Sequence, residues 1–268
     1  MSVLPSIKKS INSPTIMTWM NNIVMFTHGI VVTPITLKKF GDVDYSYWII
    51  LQTLYTFSLL SDSGFGHSLS RVASFFYSGA TEIPKDKKAF EKKSELKGEP
   101  NYFKLNKLLK TSKVVYSLLS IFMLIILFVV GRLVTNNLAT MTNDKQSFNL
   151  SFYLMILLSF VSILSVRWNS FMTGLKMVAL QQQIAIISAL LQLIAFLFIL
   201  IFIPNIPLLL AVLFLKTIIN ALIKRYHVLK KIKSVQHDKQ LVLFDREIFK
   251  PLWSSSWKLG ITQWGGFF

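Results

Sequence analysis

Lys216 stands inside the apolar run "PLLLAVLFLKTIINALI", and Thr217, Asn220 and Lys224 continue its side at helical spacing. An ammonium at bilayer depth costs about 3 kcal/mol on insertion scales unless it finds a partner or water. Two readings follow: a lysine that snorkels or pairs structurally, or a fixed positive charge on an aqueous cavity, suited to a phosphate-bearing anion. A second polar set, Thr18, Asn21, Asn22, His28 and Thr33, falls within an arc of about 140° on one helix, with Thr27 outside it. Two adjacent asparagines and a histidine exceed what helix contact requires, so this face is expected to line a cavity. The third set is "SDSGFGHSLSR", with Asp62, Gly64, Gly66, His67 and Arg71. Its glycines are spaced as in a phosphate loop, but no strand precedes them and the third glycine is absent, which argues against dinucleotide binding.

Enzymatic chemistry finds little to work with. His28, His67, His227 and His237 are too scattered for a metal motif, no Asp/Glu pair sits with catalytic spacing, and the chain has no cysteine for a thiolate, a disulfide or a cluster. No catalytic residue, metal or cofactor is expected, and the chain is not expected to be an enzyme.

These residues must be positioned by membrane helices. Of 268 residues, 53% are hydrophobic and only 15% charged, far from a soluble domain. Spans of about 20 apolar residues are expected at 16–37, 45–64, 114–134, 150–166, 184–203 and 207–223. Only Pro204, Asn205 and Ile206 separate the last two, which makes a hairpin. The first follows Lys8 and Lys9 but holds Asn21, Asn22 and His28 and has no small-residue cleavage site after it, so it reads as a retained helix and not a secretion signal. The fold class is therefore all-α: a polytopic bundle of six membrane helices plus the start of a seventh.

The net charge of +17 would suggest nucleic acid in a soluble protein. Its distribution says otherwise. With the N-terminus cytoplasmic, 24 of the 29 Lys and Arg residues fall on the cytoplasmic side and only Lys38, Lys39, Arg132 and Lys145 outside, leaving Lys216 within a span. The asymmetry is the positive-inside pattern, so no nucleic-acid partner is expected and the orientation follows. The lysine-rich connector of about 79–108 is a solvated loop that anionic headgroups would also attract. The stripes Gln181, Ser188, Gln192 and Ser159, Ser162, Ser165, Asn169 are read as helix–helix contacts. Residues 1–233 thus form a six-helix lobe, and 234–268 a cytoplasmic linker followed by a helix that stops at Phe268, as in a fragment of a longer protein.

The segments "KKFGDVDYSYWIILQTLYTFSLLSDSGFGHSLSRVASFF" and "FKPLWSSSWKLGITQW" resemble the O-antigen type polysaccharide flippases of the multidrug/oligosaccharidyl-lipid/polysaccharide exporter superfamily. The likeness rests on Phe40, Gly41, Tyr45, Tyr47 and Trp48 opening the second span, on Asp62, Gly64 and Gly66 with Arg71 after them, and on "WKLG" at Trp257 to Gly260. It covers the chain as an N-terminal half. It implies two six-helix lobes in a bacterial inner membrane, alternating a cationic cavity to move an undecaprenyl-pyrophosphate-linked oligosaccharide outward for lipopolysaccharide synthesis. Partners would be that lipid, membrane lipids, the missing C-terminal lobe and a coupling cation, H+ or Na+. Arg71, Lys216 and Asn220 would meet the headgroup, Asn21, Asn22 and His28 would line the cavity, and Asp62, Gly64 and Gly66 would form a bend. Alternatives are a cation-coupled drug exporter, for which Asp62 is the only intramembrane acid, and a polysaccharide polymerase or glycosyltransferase, which would need a large outer loop or an acidic metal motif.

Overall fold

A computed structural model describes residues 13–62, 64–83, 98–141, 144–232 and 244–265. Among these it is all-helical: α1 (Pro14–Lys39), α2 (Asp42–Leu59), a 3-10 turn (Leu60–Asp62), α3 (Phe65–Tyr77), α4 (Tyr102–Met141), α5 (Lys145–Gly174), α6 (Val178–Phe202), α7 (Ile206–Lys231) and α8 (Arg246–Gly265). Lys8, Lys9, most of the basic connector and much of the 234–268 linker lie outside the described residues.

Helix ends follow local chemistry. Ser13 caps α1, its Oγ accepting from the Ile16 N–H at 3.2 Å, and Pro14 occupies the first turn, where no N–H is missed. Lys38 and Lys39 close α1 against the negative end of its dipole. Asn205 performs the same capping for α7, accepting from the Leu208 N–H at 3.1 Å, and so sets the hairpin expected at Pro204 to Ile206.

Among the described residues, five helices are long and apolar enough to cross a membrane: Pro14–Lys39, Tyr102–Asn136, Lys145–Gly174, Val178–Phe202 and Ile206–Lys231. Their large apolar side chains are outward over wide areas; Trp19 is 69% and Phe26 73% exposed. Such a surface is stable against hydrocarbon and not against water, the mark of a multi-pass membrane protein. The expected second span is helical but is not among the five, because Asp42 and Asp44 open it and Tyr, Ser, Gln and Thr interrupt its apolar stretch. It also ends at Leu59, short of the expected 64. The expected seventh helix is α8, which likewise is not among the five.

The described residues form two compact units. The first draws on the described residues within Met1–Ser58, Leu124–Val161 and Val178–Asn220. Its core includes Tyr47, Trp48, Leu51, Phe152, Met155 and Phe196, and α1 lies along α6. Tyr47 stacks on Phe148 with ring centroids 3.7 Å apart and donates its hydroxyl to the Phe148 carbonyl at 2.8 Å, so a buried phenol keeps a partner.

The second unit draws on the described residues within Leu59–Met123, Ser162–Met177 and Ala221–Phe268. α3 buries Phe65, Leu69, Val72, Ala73 and Phe76, and α8 packs on it, with Ser255 Oγ donating to Ser68 Oγ at 3.0 Å and Trp253 5.6 Å from Phe65. Asp245 starts α8: one carboxylate oxygen accepts from the N–H groups of Glu247 (3.0 Å) and Ile248 (3.2 Å), and the other meets Lys107 Nζ at 3.1 Å. Partial burial alone would push this carboxyl up, but the Lys107 bond and the α8 N–H groups outweigh it and hold it below the usual carboxylate range. A folded-state value below the unfolded one stabilises the protein above about pH 4, and the gain is lost as pH falls through the folded value. Asp245→Asn should therefore lower the melting temperature at pH 7, and the gap to wild type should close in a melting series carried down to about pH 3.

Candidate functional site

In the first unit, three residues from three helices form one hydrogen-bonded line. Lys216 of α7, half-buried, donates from Nζ to Gln192 Oε1 of α6 at 2.5 Å, and Gln192 Nε2 lies 3.0 Å from His28 Nε2 of α1. An ammonium can only donate, so Gln192 turns its carbonyl to Lys216 and its amide N–H to His28. His28 Nε2 is then the acceptor, with the ring proton on Nδ1. The ring centroid also sits 5.3 Å from that of Phe196, with the two planes tilted by 56°. One helical turn along α7, Asn220 Nδ2 donates to Ser188 Oγ of α6 at 3.0 Å, while Asn220 Oδ1 is buried with no partner.

Helical periodicity explains why these groups meet. Ser188 and Gln192 are four residues apart on α6, and Lys216 and Asn220 four apart on α7, so two helices joined by a short hairpin present matching polar rows. His28 comes from α1 because that helix packs along α6. The line therefore unites two residues expected at the site, His28 and Lys216, with one that was not, Gln192. The signal for Gln192 was present as the Gln181, Ser188, Gln192 stripe, read there only as helix contact.

Asn21 and Asn22 do not join this line. Asn21 is half-buried, and its amide reaches only Met25 Sδ at 3.8 Å within its own helix; Asn22 is exposed. Neither of two cavities in the protein is lined by Asn21, Asn22, His28, Arg71, Lys216 or Asn220. One, of about 120 Å³, opens between Asp44, Tyr47, Asp144 and Asn205; the other, of about 440 Å³, is bounded by Phe65, Leu119, Trp253 and Trp257.

In the second unit, the Asp62, Gly64, Gly66 set forms a helix start. Gly64 adopts a left-handed conformation, φ 77°, which a glycine holds at no steric cost, and α3 begins at the next residue. The Asp62 carboxylate accepts the Gly66 N–H at 3.0 and 3.1 Å and the Tyr116 hydroxyl at 2.5 Å. A Cβ at Gly66 would lie 2.8 Å from Asp62 Oδ2 and 3.1 Å from Ser170 Oγ, so the close approach itself requires glycine. Asp62 therefore holds a turn and a helix end. Tyr116 gave no sequence signal as its partner, standing 54 positions away on another helix. Arg71 lies on the exposed side of α3.

Among the described residues, no group of three or more His, Cys, Asp or Glu side chains could hold a metal ion. Comparison with protein-family models, with curated proteins and with solved structures finds no match to this chain.

Proposed function

We propose that the chain is the first lobe of a transporter that flips a lipid-linked oligosaccharide of the undecaprenyl-pyrophosphate type, for surface polysaccharide synthesis in a bacterial inner membrane. The observation that carries this reading is the Lys216, Gln192, His28 line. A half-buried ammonium sits among helices apolar enough for a bilayer, is held by a neutral amide, and has no carboxylate partner among the described residues. A charge so placed is complemented by an anion that enters from outside the chain, and a pyrophosphate supplies both the charge and several acceptors. The resemblance at Phe40 to Trp48 and Asp62 to Arg71 supplies the substrate class.

No covalent step is required. Transport would follow from different affinities for the headgroup in inward-facing and outward-facing states, with the second lobe completing the cavity. Lys216 binds charge, Gln192 orients it, and His28 fixes the amide. The cation-coupled exporter has less support, since it needs an acid able to take an ion, and Asp62 already accepts from Gly66 and Tyr116.

A binding measurement tests the reading. The chain in phosphatidylcholine nanodiscs is titrated with a short-chain polyprenyl diphosphate, followed by tryptophan fluorescence. Lys216→Met should weaken binding at least tenfold, an effect of about 1.4 kcal/mol. Equal affinity in the two proteins would remove Lys216 from the mechanism and the reading with it.

A further inference from the structure

A second group of cations lies in the second unit, apart from the line just described. Arg167 of α5 and Lys224 and Arg225 of α7 are brought together where Lys224 Nζ donates to Asn169 Oδ1 at 2.8 Å. Lys224 is only 9% exposed, whereas Arg225 is open to its surroundings. The Arg167 guanidinium lies over the ring of Trp168, 4.6 Å from its centroid, a cation–π contact. Its Nε is buried and has no hydrogen-bond partner. Among the described residues no carboxylate pairs with Arg167 or Arg225, and the two guanidiniums act on one another as like charges.

A buried N–H without an acceptor is unfavourable, and two neighbouring cations without an anion add to it. Both would be relieved by one ligand: an anion with several acceptor oxygens, small enough to sit between two helices. A phosphate group matches, because a guanidinium offers it parallel N–H donors and an ammonium adds charge. Basic pockets between membrane helices serve this purpose for lipid headgroups. The charge distribution along the chain puts Arg167, Lys224 and Arg225 together on the expected cytoplasmic side.

We infer that Arg167, Lys224 and Arg225 form a binding site for a phosphate group, carried either by the headgroup of an anionic lipid or by a soluble phosphate compound. The inference requires only that the helices lie in a membrane; it does not depend on what the chain transports. It assigns these cations a ligand beyond their contribution to orientation.

The test uses the chain in nanodiscs of phosphatidylcholine alone, with two probes: phosphatidic acid mixed into the bilayer, and inorganic pyrophosphate in solution. Binding is read as a rise in melting temperature with probe concentration. Wild type should bind at least one probe, and Arg167→Gln and Arg225→Gln should each weaken that binding at least tenfold. Lys230→Gln, which removes an exposed cation about one and a half turns beyond Arg225 on α7, should leave it unchanged. Without probe, Arg167→Gln should melt no lower than wild type, since it removes one of two repelling charges. If Arg167→Gln does not fold, Arg225→Gln at its exposed position decides. A response to phosphatidic acid alone identifies a headgroup site, and one to pyrophosphate alone a soluble ligand. No response to either probe, or an equal loss in Lys230→Gln, overturns the inference: the first means no site, the second only diffuse surface charge.

Discussion

Gly174→Ala should destabilise the protein by about 3 kcal/mol, the upper part of the range for overpacked sites, and a shift in melting temperature in detergent or nanodiscs measures it. Gly174 ends α5 where α3 crosses it. A Cβ there would lie 2.5 Å from the Ser70 carbonyl oxygen, 2.6 Å from Ala73 Cβ and 3.2 Å from the Ser74 nitrogen. Two of the three atoms are backbone, so no rotamer change clears the way; α3 as a whole has to move. α3 buries one full face and carries α8 on it, so its displacement would disturb much of the second unit. Gly29 supplies the control. It sits in α1 with nothing within 4 Å of its would-be Cβ, and Gly29→Ala should be neutral or raise the melting temperature slightly, because alanine favours helix over glycine by about 1 kcal/mol. Similar losses at both positions would mean that the α3 to α5 contact is not the one described.

Gln192→Leu is expected to have the next largest effect, a loss of about 2–3 kcal/mol, the usual worth of a hydrogen bond to a charged group. The leucine removes the acceptor of Lys216 and the donor to His28 together, leaving an ammonium and an imidazole facing apolar surface. Lys216→Met removes the charge itself and should cost less, since a flexible apolar chain replaces an apolar stem. The double variant should melt within about 1 kcal/mol of Lys216→Met alone, because the leucine no longer strands a charge. This cycle separates a structural pair from independent side chains. Additive losses in the double variant would show that Lys216 and Gln192 do not act on one another. The same variants also bear on function: Gln192→Leu with Lys216→Met should be folded and yet bind a polyprenyl diphosphate at least tenfold more weakly than wild type.

Much of the architecture was legible in the chain itself. Long apolar stretches with few charges can only be buried in hydrocarbon or protein, so the helices around 114–134, 150–166, 184–203 and 207–223 were visible at once. The Pro204 to Ile206 hairpin was visible because a proline and an asparagine cannot both continue a helix there. Helix lengths were less legible. α4 runs from Tyr102 to Met141, well beyond the apolar stretch, and α5 from Lys145 to Gly174, because polar residues extend a helix without leaving any mark in hydropathy. The Asp62, Gly64, Gly66 set could be read as a bend, but its role as a helix start depends on Tyr116, more than 50 positions away.

The candidate sites divide the same way. One-dimensional spacing determined the polar rows on single helices, since residues three and four apart share a face whatever surrounds them. It was thus sufficient for the Gln192 stripe, for Lys216 with Asn220, and for the isolation of Lys216 in an apolar run. Which row faces which other row is a property of how helices pack, and several arrangements of the same rows satisfy the same hydropathy. Only the tertiary structure set Lys216 against Gln192 and Gln192 against His28, left Asn22 outward, and gathered Arg167 with Lys224 and Arg225. A row of polar atoms has no chemistry until its neighbours are chosen, and that choice is made by apolar surfaces on the other sides of the same helices.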